Sequence, residues 1–544
     1  MSKPEKTTEQ ILTEKAKQAQ VIYEDLARRF GIEPKYKTEF LVDAATEKVF
    51  KKNYLAENPF PHFIKFVLGK LRKKAVNKLF EQEKVLQTPV VAAVLTLCAQ
   101  VATEIGALRG GSTDGAVISS DIAFAGLQAI RLYLANHTEP KFKNKRLESA
   151  VNVDNAFNGS FYKYKTKDGR YISFHVYYQS QQEKLAAALG TKKPSEKFTL
   201  LSTGRDRKYL QSLVGKYDAR ELEELAFSCG ACASVLRTRE EWEESEVGKA
   251  VNAMPLVNIQ PVGEKNKRDY GKPTVRGPLS GIKVLDLTHI IAGPACSRIL
   301  AEYGADVLLV RRGKFIEQEQ AMLELDGWAG KNSIQLDFKE PEQLEKCKQL
   351  IREADVITYS YQNGCMDKFG LSEEDIRALN PNVIYSNLFC FSDTVWKQRP
   401  GWAPCAEDIT GLSTRNGSKE NPVNLNGVPL DYIPGFFLAL GTLCALKKKI
   451  EDGSAAKVTT SLTRGACYLH EATDLCEKGL EVDTKTEIAV KPFAYPRIRV
   501  YAHSPSLGLI GFPSPATYNT AYPDPVMNMR FEDGREGFTT QKEV

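Results

Sequence analysis

The residue best placed to do chemistry is Asp431, in the stretch Asn426-Gly-Val-Pro-Leu-Asp431-Tyr-Ile-Pro-Gly435, directly ahead of an apolar run from Phe436 to Leu446. The run predicts a helix, so the carboxylate stands at a loop-to-helix entry, where free backbone N–H groups and the helix dipole hold an anion. The residues alone leave two readings open: a plain N-cap aspartate, or a carboxylate kept for covalent or acid–base work. Other familiar constellations are missing. There is no Gly-x-x-x-x-Gly-Lys-Ser/Thr loop, no Gly-x-Gly-x-x-Gly after a first strand and no Gly-x-Ser-x-Gly elbow. The six His hold no metal-ligand spacing, and Cys229-Gly-Ala-Cys232 has no second pair to complete a zinc set, so its thiols read as structural.

The elements that must position such a carboxylate are clearest between 278 and 338. Ile282 to Leu287 is an apolar run between Gly281 and the turn Gly293-Pro294, and reads as a buried strand. Pro294 suits a helix's first turn. That helix carries Ala295, Ile299 and Leu300 inward and stops near Gly304, and Val307 to Val310 is a second strand. Strand, helix and strand at this spacing make a βαβ unit and predict an α/β fold with a parallel, helix-covered sheet.

Residues 279 to 470 resemble the class III CoA-transferases, the carnitine dehydratase/bile-acid-inducible family. The resemblance rests on Leu279-Ser-Gly-Ile-Lys-Val-Leu-Asp-Leu-Thr-His289 with Ala292-Gly-Pro294, Tyr303-Gly-Ala-Asp-Val307, Lys331-Asn-Ser-Ile-Gln-Leu-Asp337, Glu353-Ala-Asp-Val356 and Leu379-Asn-Pro-Asn-Val-Ile-Tyr-Ser386. It implies a parallel Rossmann-like CoA-binding domain plus a small α+β domain in an interlocked architecture. It implies that Asp431, four residues before a Gly at the helix start, is the nucleophile that moves CoA between an acyl-CoA thioester and a carboxylic acid through an aspartyl-CoA intermediate. His289 and Ile290 would flank the pantetheine, and Arg312, Leu336 and Lys368 would approach the adenosine end. No tightly bound cofactor is implied; coenzyme A enters as the acyl-CoA substrate.

Departures from the family pattern fall at Arg311, where an acid is usual, and at Tyr359-Ser-Tyr-Gln-Asn-Gly364; no glycine-rich covering loop is evident after residue 470. Two other readings stand beside the transferase. An α-methylacyl-CoA racemase-like enzyme needs a His where this chain has Gly401-Trp402-Ala403. A non-catalytic acyl-CoA-binding protein would fit a degenerate copy.

Thr96-Leu-Cys-Ala99 recurs as Thr442-Leu-Cys-Ala445, each in a long apolar helix pattern followed by a Gly-Ser turn and a Val-led strand. The chain therefore reads as a tandem of two diverged copies, Val85 standing in the first where Asp431 stands in the second. The parts are a helical N-terminal extension (1–88), a partial first copy with a small domain (89–260), a linker (261–277), a CoA-transferase large domain (278–475) and a tail with a small-domain remnant (476–544). Residues 89 to 135 should pack near 436 to 475.

Across 544 residues, 42% hydrophobic and 26% charged content is that of a globular chain, and a net charge of +6 with interspersed signs argues against a nucleic-acid partner. Eleven Cys in no regular spacing read as reduced thiols. The polar N-terminus and the lack of an uninterrupted apolar span lead to a cytoplasmic chain with no membrane partner, either a monomer with pseudo-dimeric halves or a homodimer.

Overall fold

The computed structural model describes residues 6–52, 73–134, 136–137, 162–176, 179–191, 204–312, 325–479, 486–492, 499–504, 508–523 and 532–533. In the N-terminal half, α1 (Thr8–Phe30) leads to β1 (Lys37–Val42), α2 (Gln87–Leu108), β2 (Val117–Asp121), α3 (Ile122–Gln128) and β3 (Asn136–His137). A small sheet follows, of β4 (Tyr164–Lys165), β5 (Tyr171–Phe174) and β6 (Ala233–Val235), and then an edge strand, β7 (Asn258–Val262). Asp168-Gly169 makes the turn between β4 and β5, with Gly169 at φ 78°.

The second half opens with β8 (Lys283–Leu287), α4 (Ala292–Glu302) and β9 (Asp306–Arg312), which is the βαβ unit expected from the apolar runs. β10 (Asn332–Leu336), β11 (Val356–Tyr359) and β12 (Ile384–Phe389) follow, then α5 (Ala403–Ile409), α6 (Pro429–Asp452), β13 (Ala455–Ser461) and α7 (Leu462–Glu477). The tail adds β14 (Thr486–Val490), β15 (Arg499–Ser504), β16 (Gly508–Pro513), β17 (Thr517–Asn519) and β18 (Glu532–Asp533). The main sheet runs β18-β10-β9-β8-β11-β12-β13-β7, parallel throughout except for β7. Both of its faces are buried. Val284, Val307, Val356 and Ile384 enter the core under α4 and α6, whereas Leu285, Leu308, Ile357 and Tyr385 enter a second core on the far side. This period-two division is why these strands read as continuous apolar runs.

Two expectations change. The first 88 residues are not only helical, because β1 is central in a second sheet, β14-β1-β2-β17, with Phe40, Leu41 and Val42 buried. Its flanking charges hid a short strand that only a distant partner stabilises. Within that extension residues 53–72 lie outside the described residues, while Val76, Leu79 and Phe80 are buried. Second, α2 and α6 are long and apolar enough to cross a membrane, although 94% and 89% of their apolar windows are buried inside the molecule. Scattered Thr, Gln and Gly residues broke the apolar run that the sequence reading looked for.

α2 packs directly on α6, as expected for 89–135 against 436–475, and α4 crosses α6 on another side. Gly435 allows that crossing: a Cβ there would lie 2.3 Å from the Ala292 carbonyl oxygen. The halves also trade strands. β7, which ends the first half, closes the main sheet beside β13, and β14 and β17 from the tail flank β1 and β2. Expressed apart, residues 1–270 and 271–544 are therefore each expected to lack a cooperative melt. Two soluble halves that each melt cooperatively would contradict this arrangement.

Candidate active site

α4 carries the chain from β8 to β9 on one side, while β11 lies on the other side of β8. The strand order thus reverses between β8 and β11, and the crevice beyond their C-terminal ends is where an open parallel sheet takes a ligand. A cleft of about 190 Å³ opens there, lined by the turns after both strands (His289 to Gly293 and Ser360 to Asn363) and by Gly401, Trp402 and Ala403 at the start of α5. Asp431 forms part of its wall, and Gln181 reaches it from the small domain. The structure thus brings Asp431, His289 and Ile290 together.

Among the described residues, Ile290 (φ 67°) and Trp396 (φ 56°) are the non-glycine residues with positive φ, and both line this cleft. A β-branched or bulky side chain in that region costs of order 1–3 kcal/mol, and such strain concentrates at functional sites. The turn after β8 is held from beneath. Lys331 Nζ donates to Asp286 Oδ2 (2.7 Å), the Pro294 carbonyl (3.0 Å) and Ser297 Oγ (2.8 Å), and the Lys331–Asp286 pair is fully buried. Asp286 accepts further bonds from Thr288, Ser297 and Thr358. Two residues of the sequence signature are therefore one buried ion pair, a pairing that spacing alone did not disclose. Above it the His289 amide donates to Ser360 Oγ (3.2 Å) and its ring stacks on Tyr361 at 4.4 Å. Burial lowers the His289 imidazole to about 4, so it is neutral at physiological pH.

Asp431 differs from its expected setting. α6 starts at Pro429, so Asp431 lies inside the first turn; Val428 is the N-cap residue, and no side chain caps it. The plain N-cap reading therefore falls. Pro434 misled the boundary, since a Pro normally interrupts a helix; here its ring packs on Gly465, where a Cβ would come within 2.7 Å. Among the described residues no hydrogen bond or ion pair reaches the Asp431 carboxylate, and burial, with Glu407 adding repulsion, pushes it up to about 8. Val85 is fully buried two residues ahead of α2 and provides no carboxylate.

Arg312 and Leu336 are register partners at the C-terminal ends of β9 and β10. Leu336 is buried in the far-side core. Lys368 is exposed beside Phe369, whose ring meets Phe338 at 5.7 Å, two residues past Leu336. These three lie along the sheet's C-terminal edge and outside the lining of the Asp431 cleft. The sequence reading missed Arg399. Its guanidinium sits 4.1 Å from the Trp396 ring and 4.3 Å from the Phe227 ring on the cleft wall, and pairs with Glu224. It also missed Glu407, buried behind the cleft on α5. Neither has a local motif. Cys229 and Cys232 are free thiols, and no group of His, Cys, Asp and Glu suited to a metal occurs among the described residues.

The structure thus sets a carboxylate, Asp431, in the switch-point crevice of a parallel α/β sheet, the place where such sheets take a ligand. Residues 279–506 match the model of CoA-transferase family III. An acyl-CoA transferase of Gibberella moniliformis is 30% identical over 400 residues, covering 70% of each chain. An acetyl-coenzyme A transferase of Hypoxylon pulicicidum is 30% identical over 316 residues, 55% of this chain and 52% of that one. A crystal structure of a CaiB/BaiF family protein from Brucella suis is 24% identical, covering 43% of this chain and 65% of that one, with a TM-score of 0.33. The chain belongs to CoA-transferase family III.

Proposed function

We propose that the chain transfers CoA from an acyl-CoA thioester to a free carboxylic acid, with Asp431 as the covalent carrier. The observation that carries this reading is the setting of Asp431: a carboxylate with no cation or hydrogen-bond donor on it among the described residues, facing the switch-point cleft. Such a group is a stronger nucleophile than a solvated one, because its electron pair is committed to nothing else.

In the proposed sequence, the Asp431 carboxylate attacks the thioester carbonyl and CoA leaves as its thiolate, giving a mixed anhydride. The thiolate attacks the Asp431 carbonyl of that anhydride, giving an aspartyl-CoA thioester and releasing the donor acid. The acceptor carboxylate then attacks the aspartyl-CoA, and the expelled thiolate takes the acyl group from the new anhydride and regenerates Asp431. No proton or electron is gained or lost. His289 and Ile290 would flank the pantetheine, with the neutral His289 leaving the thiolate's charge uncompensated and reactive. The racemase reading lacks support, since Gly401, Trp402 and Ala403 line the cleft and carry no base. Incubating the chain with a panel of acyl-CoA donors and free acids, and following exchange by mass spectrometry, tests the reading; a non-catalytic binder shows none.

Arg312, Leu336 and Lys368 would meet the adenosine end along the strand edge. Arg312→Ala or Lys368→Ala should weaken CoA binding by about 1–3 kcal/mol, the range for charge-assisted contacts. Dephospho-CoA should lose less, as measured by calorimetry, and equal losses would mean that neither residue reads the phosphate.

The reading extends to the halves as a diverged tandem. The orders β14-β1-β2-β17 and β11-β12-β13-β7 correspond strand by strand, three parallel and one antiparallel. Thr96 and Thr442 each donate to the carbonyl four residues back, at 2.6 and 2.7 Å, and Asp121 and Ser461 cap the helices that follow β2 and β13. A single chain would then supply both the nucleophile and the small domain that covers it.

A further inference from the structure

Glu407 lies on α5, four residues after Ala403, so the two share one face of that helix. Ala403 lines the cleft with Asp431, while Glu407 is 3% exposed and lies deeper, against α6. Its Oε2 accepts from Asn424 Nδ2 (2.9 Å) and from the Leu425 amide (3.1 Å). Both belong to the loop that enters α6 just before Asp431, whose own amide donates to the Val428 carbonyl (3.0 Å).

No cation neutralises Glu407 among the described residues. Lys163, from the small domain, is taken by the neighbouring Asp408 at 2.7 Å, together with Ser413 at 2.7 Å and the His175 ring at 3.6 Å. On α7, His470 is spent on the Thr410 carbonyl and Arg464 on Glu471. Arg415, on the helix Leu412–Asn416, is spent on Asp474 and Glu477, and β6 brings only Ser234. The charge that faces Glu407 from α6 is Asp431, which is also near the Cys390 thiol.

We infer that Glu407 is a positioning residue for the transfer reaction: its hydrogen bonds to Asn424 and Leu425 fix the loop that presents Asp431, and its buried carboxylate lies against the helix that carries Asp431. This rests on Asp431 being the nucleophile. Burial raises Glu407 to about 7, and burial together with Glu407 raises Asp431 to about 8. Nucleophilicity rises with proton affinity, and the fraction ionised near neutrality falls with it. Glu407 thus sets the compromise between reactivity and availability at Asp431.

The test compares wild type, Glu407→Gln, Glu407→Ala and Asp431→Asn. Exchange between acetyl-CoA and deuterated acetate is followed from pH 5 to 9.5, alongside thermal melts over the same range without substrate. Gln keeps a carbonyl that accepts from both Asn424 and Leu425 and removes the charge. Its acid limb should move down by about one pH unit where Glu407 is ionised in wild type, raising exchange near pH 7.5 by about threefold while leaving pH 6 little changed. Glu407→Ala also loses the loop anchor, so kcat should fall while KM for acetyl-CoA holds. In the melts, wild type should lose stability as pH rises toward 8, because the folded state holds the Asp431 proton more tightly than the unfolded chain does. Glu407→Gln should complete that loss at lower pH, and Asp431→Asn should show a smaller loss, the part due to Glu407 alone. A Glu407→Gln acid limb or melt series superimposable on wild type overturns the inference. Wild-type exchange in Asp431→Asn would instead overturn the reading of Asp431 itself. Should acetyl-CoA prove inert, the melt series alone decides.

Discussion

Asp431→Asn is expected to fold and to lose transfer, falling at least about 10³-fold to background, because an amide cannot form the acyl anhydride. With wild type and acetyl-CoA, hydroxylamine should convert the carboxylate to a hydroxamate at position 431, read by peptide mass spectrometry. An adduct elsewhere, or substantial exchange by the variant, would remove Asp431 from the reaction. The same substitution should stabilise the protein at alkaline pH. The folded-state value of about 8 lies well above the ordinary aspartate range of the unfolded chain, so the folded form binds the proton more tightly. That contribution is complete at low pH and disappears as pH rises through 8, at no more than about 1.4 kcal/mol per pH unit. Asn binds no proton and makes no such contribution. Wild type and variant should melt alike near pH 4, and the variant should melt higher near pH 8.5. A substitution that abolishes activity while raising stability separates a functional carboxylate from a structural one.

Lys331→Ala is expected to cost about 3–5 kcal/mol, the range for removing one member of a buried ion pair. Asp286 would keep its bonds from Thr288, Ser297 and Thr358 but lose the ammonium that balances its charge in a fully buried site. Lys331→Met combined with Asp286→Asn removes both charges and should recover a good part of that loss, as measured by denaturant unfolding. If Lys331→Ala costs under 1 kcal/mol, the pair is not what holds the turn. Because that turn carries His289 and the strained Ile290, destabilisation should come with a higher KM for the acyl-CoA.

The βαβ unit at 282–312 was legible because a parallel strand is apolar on both faces, which leaves an uninterrupted run between turn residues. The Asp431-to-Gly435 spacing was legible too, and its physical basis is the close crossing of α4 over Gly435. The start of α6 was not, because Pro434 resembles a stop and only packing against Gly465 accommodates it. Glu407 carries no local mark at all: a glutamate in a short helix gains its meaning from Asn424, Leu425 and Asp431 after folding. β1 and β14 were likewise out of reach, since each is a few residues long and they pair with each other across most of the chain.

That last feature governs how the molecule can be made. Thr38 pairs with Thr486, and Ser119 with Tyr518, so the N-terminal sheet remains unfinished until the last part of the chain has been synthesised. β1 and β2 must wait with their outer edges bare while several hundred residues emerge, and the most separated contacts are the slowest to close. Bare strand edges recruit other chains. The price of building two interlocked halves from one polypeptide is a nascent form prone to self-association, and yield should respond more to chaperones and growth temperature than to any change at the cleft.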